Sequence, residues 1–463
     1  MKECTIRDLD RFNFYAPRVR SLAIHCSHVV LPLPLYEALY HLNGDVPLLP
    51  RLRTLEWNAS EWIGITASIS LLQVYATPGL ASLSLRNADW RADGLLLGLS
   101  SLPSRFPSLQ LLHLDLNNVP QDISPVLSIV REWQRIRILN FSLRALPLNV
   151  SAGPQLLPQL ASVQKLQKLS LYADVLPTRG TLPITSHTHA TFHALTTLII
   201  HSNDPPVLLY NCHFPSLRQF EVRTHAVVIP RIPSMLRSHI PCNRLMVLIF
   251  RTTFISRRKQ TSRLVMRFED MCPLMELHNL RHLIIQLRPT PNESRWPHHV
   301  QLQIGIELTD DEWETLVRAW PRLLTLDVAA SHAVETADGF GGPSYRVFAS
   351  LIRHCPFLEE IGLFIAHSSG TEDDLVDLPS SRRQVKLKLY HSRIDPKDYR
   401  FTATWIRHMF PRVASISRWT SRTVSVGVGI QGKYEAETYE SGWVEMMQWV
   451  AESSPAVTRK QAY

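Results

Sequence analysis

The chain has 463 residues, of which 45% are hydrophobic and 19% charged, with a formal net charge of +9. That balance fits a well-buried globular chain and excludes extensive disorder. Six cysteines without C-x-x-C spacing exclude a small disulfide-stapled scaffold.

The opening residues, MKECTIRDLDRF, are polar and hold no apolar signal-peptide core. They predict an intracellular protein, cytoplasmic or nuclear, with residues 1–18 as an N-terminal cap segment. From Val19 onward one pattern, L-x-x-L-x-L, returns twelve times. It reads Val19–Leu22–Ile24, Leu52–Leu55–Trp57, Leu80–Leu83–Leu85, Leu109–Leu112–Leu114, Ile136–Leu139–Phe141 and Leu166–Leu169–Leu171. It continues as Leu195–Leu198–Ile200, Leu217–Phe220–Val222, Leu245–Leu248–Phe250, Leu280–Leu283–Ile285, Leu323–Leu326–Val328 and Leu358–Ile361–Leu363. Successive first members lie 22 to 43 residues apart. This motif at this period is the signature of a leucine-rich-repeat array.

Alternation around the second and third apolar positions predicts strands, with Leu112 and Leu114 inward and Leu111, His113 and Asp115 outward. Three linkers predict helices. Residues 122–133 would bury Val126, Ile129, Val130 and Trp133. Thr309-Asp-Asp-Glu312 is a capping box ahead of Trp313, Leu316, Val317 and Trp320, and Pro321 closes that helix. Pro343 opens a third, through Phe348, Leu351 and Ile352 to a stop at Pro356. One strand and one helix per repeat predicts an α/β, right-handed horseshoe solenoid with a parallel concave sheet and convex helices.

The array of about twelve units spans residues 19–366. Residues 367–452 predict degenerate repeats and a cap: a strand at Val385, Leu387 and Leu389, and a helix through Trp405, Ile406, Met409 and Phe410. Val413 and Ile416 echo the motif, and residues 443–450 form a last amphipathic segment before a loose tail, 453–463. Asn117 and Asn203 sit three past the last strand apolar residue, where a side chain can ladder to backbone. Pro-rich insertions at 176–191 and 287–300 read as surface loops. The charge-free stretches 62–85 and 145–164 are interrupted by proline and run into repeat strands, so no membrane span is expected.

Motifs with chemical meaning resolve to bland features. Gly427-Val-Gly429-Ile-Gln-Gly432 matches G-x-G-x-x-G, but only 31 residues follow it, too few for a nucleotide-binding half. His187, His189 and His193 share a Pro/Thr loop with no cysteine close by, and read as surface histidines rather than zinc ligands. Glu372–Asp374 lies in a loop without a calcium-loop pattern. Cys242, Cys272 and Cys355 lie shortly before core strands, as small apolar side chains would. No nucleophile elbow, paired-histidine zinc motif or phosphate loop is present, so the sequence predicts no enzyme, metal or cofactor. Arg257-Arg-Lys259, with Arg263 and Arg267, reads as a solvated loop, with a nucleic-acid patch as its alternative.

The residue after each third apolar position should point out of the sheet. These are Arg86, Asp115, Tyr172, His201, Arg223, Arg251 and Gln286, with Arg288 two further on. In a parallel stack they form one column, basic in its middle, and Tyr and Arg are frequent binding anchors.

The phrases RFNFYAPRVRSLAI, LLPRLRTLEW and LTDDEWETLVRAWPRLLTLDV resemble the repeat region of F-box leucine-rich-repeat proteins that are expanded in mushroom-forming fungi. The resemblance covers most of residues 11–365. It implies a protein whose repeats hold a substrate while an N-terminal F-box docks on the Skp adaptor of a cullin–RING ubiquitin ligase. Ten residues precede Arg11, too few for the F-box itself, so the resemblance is to the repeat region alone. Either a longer protein carries that module upstream, or the chain is a repeat-only relative. The expected function is a non-catalytic protein-interaction scaffold with an unknown protein ligand on the concave face, a possible Skp and cullin link and no membrane. The alternative is a nucleic-acid or chromatin-associated module using the basic column.

Overall fold

In the computed structural model the chain divides into two compact units, Met1–Leu217 and Arg218–Tyr463. The structure describes residues 6–25, 47–58, 75, 77–89, 95–117, 124–148, 153–175, 189–241, 243–254, 264–287, 304–330, 334–336, 339–341, 343–365, 377–390, 392 and 398–417.

The first unit's strands are β1 (Ser21–His25), β2 (Thr54–Asn58), β3 (Ser82–Asp89), β4 (Leu111–Asn117), β5 (Ile138–Leu148), β6 (Lys168–Val175), β7 (Ala190–Thr191), β8 (Thr197–His201) and β9 (Cys212–His213). Seven of them pair in parallel in the order β1-β2-β3-β4-β5-β6-β8, and β7 pairs separately with β9. The second unit's strands are β10 (Gln219–His225), β11 (Val247–Phe254), β12 (Leu264–Met266), β13 (His282–Leu287), β14 (Ile304–Ile306), β15 (Thr325–Ala330), β16 (Val334–Thr336), β17 (Gly339–Gly341), β18 (Glu360–Leu363), β19 (Val385–Leu389) and β20 (Val413–Ser417). Seven pair in parallel as β10-β11-β13-β15-β18-β19-β20, with β12–β14 and antiparallel β16–β17 beside them. Each of the twelve motifs thus forms a strand of a parallel sheet, as expected of an α/β leucine-rich-repeat solenoid.

The motif also sets the register. Second apolar residues oppose one another, as Leu55, Leu83, Leu112, Leu139, Leu169 and Leu198 in one unit and Phe220, Leu248, Leu283, Leu326, Ile361 and Leu387 in the other. All twelve are fully buried. Each contributes about 1.5–3 kcal/mol of burial, and a one-residue slip would turn the whole row toward solvent. In β1, which among the described residues pairs on one side, Leu22 and Ile24 are half-buried.

A second repeated element precedes the motif and escaped the sequence reading. Eight strands are led in by Φ-Pro-x-Φ, at Pro17, Pro50, Pro78, Pro107, Pro215, Pro321, Pro356 and Pro411. In every case the N–H of the first motif residue donates to the carbonyl three residues back, from Val19 to Ala16 through Val413 to Phe410. Proline fits the second position of such a turn because its φ is already set. The residue before it is buried at the corner between linker and strand: Leu49, Phe106, Phe214, Trp320 and Phe410 are examples. Two corners use less apolar residues. The Thr77 hydroxyl donates to the Leu52 carbonyl at 3.2 Å, and Cys355 Sγ to the Trp320 carbonyl at 3.4 Å.

Helices fill most linkers: Leu95–Arg105, Ser124–Glu132, Gly153–Leu160 and Pro205–Leu209 in the first unit, after an N-terminal helix Ile6–Tyr15. The second has Ile232–His239, Phe268–Met271, Asp310–Arg318, Tyr345–His354 and Tyr399–Met409. The predicted capping box is present: Thr309 N–H donates to Glu312 Oε2 at 2.7 Å and Glu312 N–H to Thr309 Oγ1 at 3.3 Å. The helix foreseen after Pro343 is capped by Ser344, whose Oγ accepts from the Arg346 N–H at 3.1 Å. Phe348, Trp405 and Phe410 fill the core behind the later strands, with Phe348 and Trp405 rings 5.2 Å apart.

Several expectations change. Residues 190–191, placed in a surface insertion, form β7, because their backbone pairs with β9. Leu287, placed at the start of the other insertion, is the buried end of β13. Cys272 lies in the short 3-10 helix Cys272–Glu276 and is half-exposed, whereas Cys355 is buried as expected. Two asparagines that the sequence reading did not single out also interact, side chain to side chain: Asn87 Nδ2 donates to Asn58 Oδ1 at 2.9 Å, from a left-handed backbone (φ 55°) at the bulge in β3. The glycine-rich run 427–432, the acidic cluster 372–374, the basic run 257–259 with Arg263, His187, Cys242, Arg288 and residues 443–463 lie outside the described residues. No helix among the described residues is long and apolar enough to cross a membrane.

Candidate functional site

Side chains alternate along each strand, so residues flanking the second and third apolar positions share the open sheet face. In the first unit the register brings Asp115, Ser142, Tyr172 and His201 into one row across β4, β5, β6 and β8. The Tyr172 and His201 rings lie 5.7 Å apart and tilted by 43°. Arg86 sits opposite Asn58, on the other side of the β3 bulge, and is ion-paired to Glu56 on β2 at 3.1 Å.

Asp115 corrects the expectation of a solvated position, since it is only 4% exposed. It lies inside a strand paired on both sides, with Leu114 and Leu116 buried around it, rather than at a strand end. Ser142 was missed, although the same counting rule places it one past Phe141.

In the second unit Arg223, Arg251 and Gln286 oppose one another across β10, β11 and β13, as the spacing predicted, and Ala329 continues the row. The arginines are not free cations. Arg223 Nε lies 2.7 Å and Arg251 Nη1 3.3 Å from the same oxygen of Glu221, which is 5% exposed. Glu221 could have been found in the sequence, because it stands two residues before Arg223 and therefore on the same face. The expected basic column is thus half-neutralised from within.

The parallel row one step back along the strands runs Glu221, Ile249, Ile284, Asp327, Gly362 and Lys388. Asp327, 3% exposed, accepts hydrogen bonds from the Tyr390 hydroxyl and, at 3.1 Å, from Lys388 Nζ. Lys388 also pairs with Glu360. Burial disfavours charge on Lys388, but the Glu360 hydrogen bond and the nearby Asp327 carboxylate outweigh it and hold the ammonium above its ordinary pKa. Glycine at 362 makes room for this cluster: a Cβ there would stand 2.7 Å from Asp327 Oδ1 and 3.0 Å from Tyr390 Cε2.

Elsewhere the chemistry is sparse. Burial pushes the Cys212 and Cys355 thiols up to about 12, which makes them poor nucleophiles. His189 and His193 are exposed on either side of β7. Among the described residues no group of three His, Cys, Asp or Glu side chains is placed to hold a metal ion.

No protein-family model matches the sequence, and no curated protein matches it. Among solved structures, a chain in the crystal structure of the yeast Rad7 and Elc1 complex is similar at 12% identity. The match covers 94% of this chain and 100% of that one, with a TM-score of 0.36. The leucine-rich-repeat-containing protein LegL7 from Legionella pneumophila is also 12% identical, over 85% of this chain and 98% of that one, with a TM-score of 0.31. At these scores the likeness adds nothing to the fold already fixed by the strand register.

Proposed function

We propose that this chain is a non-catalytic scaffold that holds a protein ligand on the open faces of its parallel sheets. The observation that carries the reading is the registered row Asp115, Ser142, Tyr172 and His201, in which an aromatic pair is fixed by neighbouring strands without filling the core. Fixed aromatic side chains on rigid strands lose little entropy on binding, which suits them as anchors. In the second unit Gln286 and the Glu221-bound arginines give a polar face with little net charge, which favours protein over a nucleic-acid backbone.

The finer reading follows from the fungal F-box resemblance of the repeat phrases. In that reading the bound protein is a substrate, presented for ubiquitin transfer through the Skp adaptor and a cullin ligase. Affinity purification of the tagged chain, read by mass spectrometry, tests both levels. Recovery of Skp and cullin supports the ligase link, and their absence beside other partners removes it. Partners that survive both Tyr172→Ala and Arg223→Ala would sink the sheet-face assignment.

A further inference from the structure

In the Arg218–Tyr463 unit the open sheet face ends in a groove whose chemistry differs from the rest of that face. At the N-terminal ends of the later strands an open groove of about 470 Å³ is lined by Thr325, Glu359, Glu360, Arg382, Arg383, Gln384, Lys386 and Arg412. Thr325 and Glu360 begin β15 and β18, Lys386 is the second residue of β19, and Arg412 immediately precedes β20. The lead-in to β19, residues 381–384, lacks the proline turn, and its Arg-Arg-Gln sequence is exposed there instead.

Four cations and two carboxylates line the groove, an excess of two positive charges. The carboxylates are occupied: Glu360 by Lys388, and Glu359 by Arg383 at 3.7 Å. Arg382, Lys386 and Arg412 have no carboxylate partner among the described residues, and Arg412 donates only to the Arg382 carbonyl at 3.4 Å. Beside them Arg383 stacks over the ring of Phe357 at 5.1 Å, and that phenylalanine is 46% exposed. Unpaired cations thus adjoin an exposed aromatic surface.

We propose that this groove docks a short acidic peptide segment of a protein partner, with carboxylates on Arg382, Lys386 and Arg412 and an apolar side chain against Phe357. The groove's volume lies within the roughly 300–1,000 Å³ of compact ligand sites, the scale of a few side chains rather than a nucleic-acid tract. The groove lies at the N-terminal end of the open face, where Thr325, Glu360 and Lys386 oppose one another in register, and its occupant is argued from its own charges rather than from the Tyr172 row or the ligase reading.

The test uses the full chain and a fluorescein-labelled decapeptide of aspartates and glutamates around one leucine, read by anisotropy. Saturable binding is expected, weakened about five-fold or more by Arg382→Glu and by Lys386→Glu, and weakened by added salt. Both side chains are exposed, and thermal melts matching the parent establish that the fold is intact. Tyr172→Ala and Arg223→Ala, on other strands, should leave peptide affinity unchanged, so failure of the Tyr172 and Arg223 rows is told apart from failure of the groove. Absent binding, or binding indifferent to both charge reversals, overturns the proposal. So does tighter binding of a labelled single-stranded oligonucleotide that loses affinity in the same variants.

Discussion

The open faces of the two units are built from the same strand register but solve a different problem. In Met1–Leu217 the face carries small and polar residues such as Ser84, His113, Asn140, Ser170 and Ser142, half-buried, with one aromatic pair. In Arg218–Tyr463 it carries two buried carboxylates, Glu221 and Asp327, against Asp115 in the first unit, and both are held by cations of the same face. Formal charge on a face is therefore a poor guide to charge available for a ligand. Arg223 and Arg251 look like a binding patch in the sequence, yet their first task is to satisfy Glu221, because an unpaired buried charge is strongly unfavourable.

Breaking the shared frame should produce the largest effect. Leu198→Asp puts a charge at a fully buried core position and should lower stability by more than about 4 kcal/mol, enough to unfold the array. Circular dichroism of the purified variant reads this directly. A native spectrum with an unchanged melt would mean that the strand row is not a continuous core.

Next in size are substitutions on the two faces. Glu221→Ala leaves two arginines facing one another without their carboxylate and should destabilise by about 2 kcal/mol, held to that figure by their partial exposure. Ser142→Ala, on the first unit's face, should fall within about 0.5 kcal/mol. Urea melts of both variants sharpen the contrast, and equal effects would abolish it.

Gly362→Ala should cost about 1–2 kcal/mol, because the added Cβ pushes Asp327 and Tyr390 apart. Combined with Tyr390→Phe the losses should be non-additive, since both act on the same carboxylate. Additive losses would show that glycine is needed there for some other reason.

Lys388 gives the same cluster a pH signature. Its folded pKa is raised, so its contribution to stability is complete below the unfolded value of about 10.4 and is lost as pH rises through the folded one. The parent should therefore lose more stability than Lys388→Met between pH 9 and pH 11. Parallel pH profiles for the two proteins would contradict this.

How much of this was legible in advance depended on the range of the interaction. The motif fixes strand order and register because each repeat answers to its neighbour through residues of one type, and Thr309–Glu312 reads as a cap because all its partners are within four residues. The proline turns were equally local, at Pro50, Pro107 or Pro321, and were overlooked only because the repeat was counted from its leucines. The Glu221 clamp needed no more than a period-two reading of β10 and a neighbour in β11. The Asp327 cluster is different. Its partners lie 61 and 63 residues away, and the space it occupies exists because Gly362 lacks a side chain. Nothing in the local sequence of Asp327 announces either fact.

A small stability effect should belong to the residue on which the functional reading leans most. Tyr172 is half-buried against His201, so Tyr172→Ala should change stability by about 1 kcal/mol or less. If the aromatic pair anchors a protein ligand, the same substitution should weaken binding at least ten-fold, because truncating a central aromatic anchor usually removes 2 kcal/mol or more. Arg223→Ala, whose side chain is already committed to Glu221, should weaken binding less and stability more. Co-purified partner measured against melting temperature for both variants separates the two roles. The reverse pattern, with binding lost in Arg223→Ala and kept in Tyr172→Ala, would move the recognition surface to the second unit.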